Sequence, residues 1–140
     1  MKKLNYKLME NAFNNVDLEH GLKVIRSKQL TMSKYTTRFE RIFAKKIGAK
    51  FALMVNSGSS ANLLAVRAAF NPLRKIRFKI GDEAIIPSLL WSTSLWPLVQ
   101  SGLKPVFVDI DVKTLNLDIN LIKKKISNKT KVIMAIHVLG

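Results

Sequence analysis

Phe51-Ala52-Leu53-Met54-Val55-Asn56-Ser57-Gly58-Ser59-Ser60-Ala61 is the stretch on which the fold turns. An unbroken apolar run leads into Asn, Ser and Gly, and then into a segment of helical spacing that reaches Phe70. A short apolar run closed by turn chemistry is the pattern of a strand buried on both faces. The stretch therefore predicts strand, turn and helix, with Leu63, Val66 and Phe70 along one side of that helix.

Outward from it the same alternation recurs. Upstream, residues 16–27 mix apolar and polar at helical spacing, and Thr37 with Glu40 fits a capping box ahead of Phe39, Ile42, Phe43 and Ile47. Gly48 supplies the stop of that helix. Downstream, residues 83–87 read as a buried strand, followed by a helix to Ser101, a strand over 105–111, a helix over 119–126 and a strand over 131–136. Pro97 lacks an amide donor and must sit near the first turn of its helix or kink it. Trp96 is expected in the core, as a lone Trp usually is. The resulting order predicts an α/β fold, a three-layer α/β/α arrangement with a mainly parallel sheet and right-handed crossovers. Ligands of such sheets bind off the C-terminal strand edges. The last strand runs into His137-Val138-Leu139-Gly140 with no helix to cover it, so the domain is expected to be incomplete.

Composition narrows the chemistry. The 140 residues carry 24 Lys plus Arg against 9 Asp plus Glu, a net charge of +15, yet 48% are hydrophobic, which is enough to fill a core. The absence of cysteine removes disulfides, thiolate metal sites and a cysteine nucleophile. The N-terminus is basic but runs into polar residues, so no secretory signal is expected and a cytoplasmic location follows. Residues 84–103 carry no charge, but prolines, serines, Gln100 and Gly102 interrupt them too often for a membrane span. The basic residues are spread along the chain with few aromatics among them, giving neither a base-reading helix nor a stacking platform, so no nucleic-acid partner is expected. The cluster Arg74-Lys75-Ile76-Arg77-Phe78-Lys79 reads as a solvated loop.

At the handover from strand to helix, unpaired amides and the positive helix end converge on one spot. Gly58 is expected to give the backbone an unusual conformation and a close approach, while Ser57, Ser59 and Ser60 add hydroxyls suited to a phosphate. An ordinary helix cap made by Ser57 explains the same residues. The stretch matches neither the triphosphate loop nor the dinucleotide fingerprint. Trp91 lies beyond the next strand, at the same sheet edge, where its ring could stack on a phosphorylated aromatic cofactor. Asp109-Ile110-Asp111 offers two carboxylates but no further ligands, which is a weak metal site, and no metal is expected. His137 at a strand end could act as acid or base, or be structural, and His20 reads as solvated.

Several blocks, in order, resemble one family. Residues 56–65, 81–87, Trp91-Ser92-Thr93 and residues 102–111, together with 30–36 and 137–140, look like the sugar-nucleotide aminotransferases of the DegT/DnrJ/StrS type. The resemblance implies the N-terminal part of a pyridoxal 5'-phosphate (PLP) enzyme of aspartate aminotransferase fold type I, acting on nucleotide-linked keto-deoxysugars in surface polysaccharide (lipopolysaccharide, O-antigen) biosynthesis. Residues 1–35 would be a lead-in segment and 36–140 the truncated start of the PLP-binding large domain. Gly58, Ser59 and Ser60 would hold the cofactor phosphate and Trp91 would stack on its ring. The family's Schiff-base lysine and the aspartate that pairs with the pyridinium lie downstream of the His-Val-Leu-Gly block, so no catalytic residue is expected up to Gly140. Glutamate as amino donor and a homodimer at full length are also implied. The same blocks are similar to related 3-dehydratases, in which His replaces that lysine, so transamination and dehydration both stay open. A non-catalytic, basic nucleotide-binding module is the alternative from outside the family.

Overall fold

The computed structural model describes residues 12–137, which form two compact units divided between Met54 and Val55. The first unit holds helices α1 (Asn15–Arg26) and α2 (Lys34–Lys46). Asn14 caps α1 by accepting from the Val16 and Asp17 amides, and the Asp17 carboxylate accepts the Asn14 amide in return. The capping box expected at Thr37 and Glu40 does not form. Nothing between Lys34 and Thr36 breaks a helix, so α2 begins a turn earlier, after Ser33, whose backbone is extended and whose carbonyl accepts the Thr37 amide. Glu40 is left free to accept the Met54 amide at 2.8 Å. Gly48 ends the helix as expected, at φ 71°, with the Gly48 amide on the Lys45 carbonyl and the Ala49 amide on that of Ala44.

The second unit contains α3 (Gly58–Ala69), β1 (Glu83–Pro87), α4 (Ser92–Gln100), β2 (Lys104–Val108), α5 (Ile119–Lys125) and β3 (Thr130–Ile133). The three strands form one parallel sheet in the order β2-β1-β3, bearing out an α/β fold with a parallel sheet. β1 is central because its apolar residues can be covered on both sides. Ala84 and Ile86 join Val66 of α3, Leu98 of α4 and Leu103 in one cluster, while Ile85, on the opposite face by strand alternation, is also fully buried.

Some expectations are corrected. The run 51–55 forms no strand: it pairs with no described residue, β1 already has a neighbour on each side, and Phe51 and Leu53 are exposed. An apolar run becomes a strand only through a ladder. The strand expected to reach Asp111 stops at Val108, because the chain turns there and Ile110 bridges antiparallel to Leu117. The last strand ends at Ile133, although the Met134 amide still donates to Ile85. Trp96 is 53% exposed and not in the core, since the buried face of α4 belongs to Pro97 and Leu98. Pro97 lies inside α4, in its second turn. The block Val138-Leu139-Gly140 lies outside the described residues.

Candidate functional site

α3 begins abruptly at Gly58 because Ser57 caps it. The Ser57 hydroxyl oxygen accepts the Ser60 amide at 3.1 Å and its carbonyl accepts the Ala61 amide at 3.0 Å. The helix-cap reading of this turn is thus observed. The cap consumes the Ser60 and Ala61 amides, whereas those of Gly58 and Ser59 donate to no described residue. Two free amides at the positive end of a helix of 12 residues, flanked by the Ser59 and Ser60 hydroxyls, make an anion-accepting turn.

Gly58 earns its place differently from the expectation. Its φ is not positive, so no unusual backbone conformation needs a glycine. A Cβ built there meets nothing within 4 Å. A side chain at this position would therefore meet open space and no packed neighbour.

A cleft of about 280 Å³ opens beside this turn, between α3 and α4. Ser59, Ser60 and Leu63 line one wall, and Thr93, Trp96, Pro97 and Gln100 line the other. Sequence reasoning missed Thr93, Trp96 and Gln100, although their spacing of i, i+3 and i+7 from Thr93 marks one helix face. Trp91 is the N-cap residue of α4, makes no side-chain cap and is 76% exposed. Its helix borders the cleft, but its own indole is not part of the lining.

At the C-terminal edge of the sheet, Ser88 joins the exits of two strands. Its amide donates to the Val108 carbonyl at 2.8 Å and its hydroxyl to Asp109 Oδ1 at 2.9 Å. The Ile110 amide donates to the same oxygen. These bonds, the Ile110 amide first and the Ser88 hydroxyl second, hold the Asp109 carboxyl below the ordinary aspartate range. Asp111 accepts the Lys113 amide instead. The two carboxylates of Asp109 and Asp111 are thus engaged locally, and among the described residues no group of three or more His, Cys, Asp or Glu converges as a metal site. His137 and His20 are exposed. No described helix is long and apolar enough to cross a membrane.

Comparison with known proteins identifies the family. The model of the DegT/DnrJ/EryC1/StrS aminotransferase family matches residues 12–140. The GDP-4-keto-6-deoxy-D-mannose 3-dehydratase of Escherichia coli O55:H7 is 43% identical over 137 residues, 98% of this chain and 35% of that protein. A solved structure of the E. coli enzyme with bound hydrated PLP superposes with a TM-score of 0.84 at 44% identity, over 92% of this chain and 33% of that one. The lipopolysaccharide biosynthesis protein RfbH of Salmonella typhimurium is 42% identical over 112 residues, 79% of this chain and 26% of its own. A GDP-perosamine synthase of Vibrio cholerae is 36% identical over 107 residues, 76% of this chain and 27% of its own. The chain spans about a third of the length of the relatives it matches.

Proposed function

The chain belongs to the DegT/DnrJ/EryC1/StrS aminotransferase family, and from that premise we propose that it forms the phosphate-holding part of a PLP enzyme that removes the 3-hydroxyl of a nucleotide-linked 4-keto-6-deoxysugar. One observation carries the choice of reaction. Identity to a 3-dehydratase is 43% over 98% of the chain, against 36% over 76% for the GDP-perosamine synthase. That difference favours dehydration over transamination, the two reactions that the resemblance left open. Transamination, with glutamate as donor, is the second reading, supported by the aminotransferase description of the matching family. A place in surface polysaccharide synthesis is supported by the lipopolysaccharide relative. A cytoplasmic homodimer completes the reading.

The residues present fit the cofactor. The free amides of Gly58 and Ser59 and the hydroxyls of Ser59 and Ser60 would hold its phosphate at the start of α3, in the space that the missing Cβ of Gly58 leaves. Trp91, at the head of α4, would offer its exposed ring as a flat apolar cover that keeps water from one face of the pyridine. When bound, PLP supplies an electron sink for charge that develops on the sugar. Ser57 binds nothing in this scheme; it holds the turn in shape by capping the helix. By the family resemblance, the proton-moving Lys or His and the aspartate for the ring nitrogen belong to the remaining length of the relatives.

The test is a product analysis. Protein of the full gene-encoded length, loaded with PLP, is given GDP-4-keto-6-deoxymannose and glutamate, and the sugar product is read by mass spectrometry. A product that has lost its 3-hydroxyl oxygen is expected. A product that has exchanged its keto oxygen for an amine would overturn dehydration in favour of transamination, and an untouched substrate would overturn both.

A further inference from the structure

The strand exit at Asp109 is not used by any step above, and its bonds lead toward Trp91. Ser88 is the first residue past β1 and is held to the end of β2 twice, through its amide and its hydroxyl. The carboxylate that receives the hydroxyl is itself oriented by the Ile110 amide at 2.9 Å, so the acceptor is fixed before Ser88 reaches it. Leu89 and Leu90 follow, and Leu90 packs on the core cluster. Trp91 comes next as the α4 N-cap, its carbonyl accepting the Ser94 amide at 2.9 Å. A segment this short has little freedom once both ends are pinned. The indole makes no cap of its own, so the backbone that carries it sets where the ring can reach.

We infer that Asp109 is a positioning residue, which fixes Ser88 and through it the segment that presents Trp91 to the cofactor. It touches neither cofactor nor substrate and acts only through the serine. The low proton affinity of the carboxyl agrees, since both of its donors favour the ionised form. The inference rests on the reading that Trp91 covers the PLP ring, and the test separates the two.

Amide hydrogen exchange on the full-length, PLP-loaded protein reads the anchor directly. In Asp109→Ala and Ser88→Ala, exchange of the position-88 amide, which donates to the Val108 carbonyl, and of the Ser94 amide, which donates to the Trp91 carbonyl, is expected to quicken about tenfold, the loss of one charge-assisted hydrogen bond. Asp109→Asn keeps an acceptor oxygen and should restore the parental rate, and the Ser88→Ala, Asp109→Ala double variant should be no faster than either single. Unchanged exchange, or an Asn variant as fast as the Ala variant, overturns the inference. In a Trp96→Phe background, the quenching of Trp91 fluorescence by PLP, taken as the difference from the further Trp91→Phe variant, reads the consequence. It should weaken in Asp109→Ala and Ser88→Ala and be retained in Asp109→Asn. Quenching that stays at the parental level while exchange quickens overturns the link from Asp109 to the indole. A Trp91→Phe protein quenched like its parent overturns the reading of Trp91 itself.

Discussion

Ser57 and Gly58 are neighbours at the start of α3 and are predicted to separate stability from binding. Ser57 satisfies the Ser60 amide, so Ser57→Ala should cost about 1 kcal/mol of stability, visible in a denaturant titration. Gly58 is the first residue of α3, with no positive φ and open space where a Cβ would go. Gly58→Ala should therefore leave the melting temperature of the cofactor-free protein unchanged or slightly raised. The same methyl group would stand where the phosphate approaches the Gly58 and Ser59 amides. Weakening that contact should lower PLP affinity about tenfold or more, measured by equilibrium binding. A variant that binds PLP like its parent would show that the phosphate does not sit against this turn. The helix start was legible in the sequence because serine and glycine after an apolar run favour a cap, which Ser57 makes. The reason for the glycine was not legible, since an absent Cβ serves conformation or space and only the backbone angles tell which.

At the scale of elements, helices and their stops were easier to read than strands. Gly48 and Gly102 both follow a helix, take positive φ and return their amides and those of the next residue to the last turn. Gly102 does more, because its carbonyl accepts the Gly81 amide at 2.8 Å and so ties the end of α4 to the entry of β1. A Cβ at Gly102 would lie 3.1 Å from Ile80 Cγ1 on a backbone at φ 81°. Gly102→Ala is predicted to lose about 1–2 kcal/mol from the left-handed conformation alone, with crowding against Ile80 added to it. The same change at Gly48, where a Cβ meets nothing within 4 Å, should show the conformational cost without the crowding. Thermal melts of the two variants make the comparison, and equal losses would mean that Ile80 moves aside freely. The strand at 51–55 was misread for a reason no local pattern contains. Phe51, Leu53 and Val55 have the chemistry of a buried strand, but pairing depends on a neighbour elsewhere in the chain. The capping box at Thr37 failed likewise, because an equally permissible start existed one turn upstream. The bond between Ser88 and Asp109 escaped notice, since 21 positions separate them and only the parallel register of β1 and β2 brings them together.

For the whole molecule, the two units differ in how far they satisfy their own apolar side chains. The second buries a continuous cluster around β1. In the first, α1 has no buried residue, and Val16, Leu18, Leu22 and Ile25 are all exposed. On α2, Phe39 and Phe43 stack with ring centroids 5.6 Å apart, yet both remain exposed, as do Ile42 and Ile47. Each such side chain, fully covered, would contribute about 1.5–3 kcal/mol, so leaving them in water forgoes much of what normally offsets chain entropy. A net charge of +15 adds self-repulsion, which disfavours close packing at low salt and is screened at high salt. The two effects give opposite salt responses: charge alone holds copies apart, and screened copies with exposed Leu, Ile and Phe adhere. The 140-residue chain purified by itself is therefore expected to bind the dye ANS strongly and to self-associate as sodium chloride rises, followed by dye fluorescence and light scattering. Protein of the relatives' length, if its further residues cover these helices, should bind less dye per chain and lose the salt-driven scattering. Replacing Ile25 and Ile42 by Ser in the 140-residue chain should lower both signals while leaving the sheet unit's circular dichroism intact, because neither residue belongs to its core. Dye binding that survives those replacements unchanged would place the adhesive surface elsewhere, with exposed Leu73, Ile76 and Ile80 of the basic loop next in line.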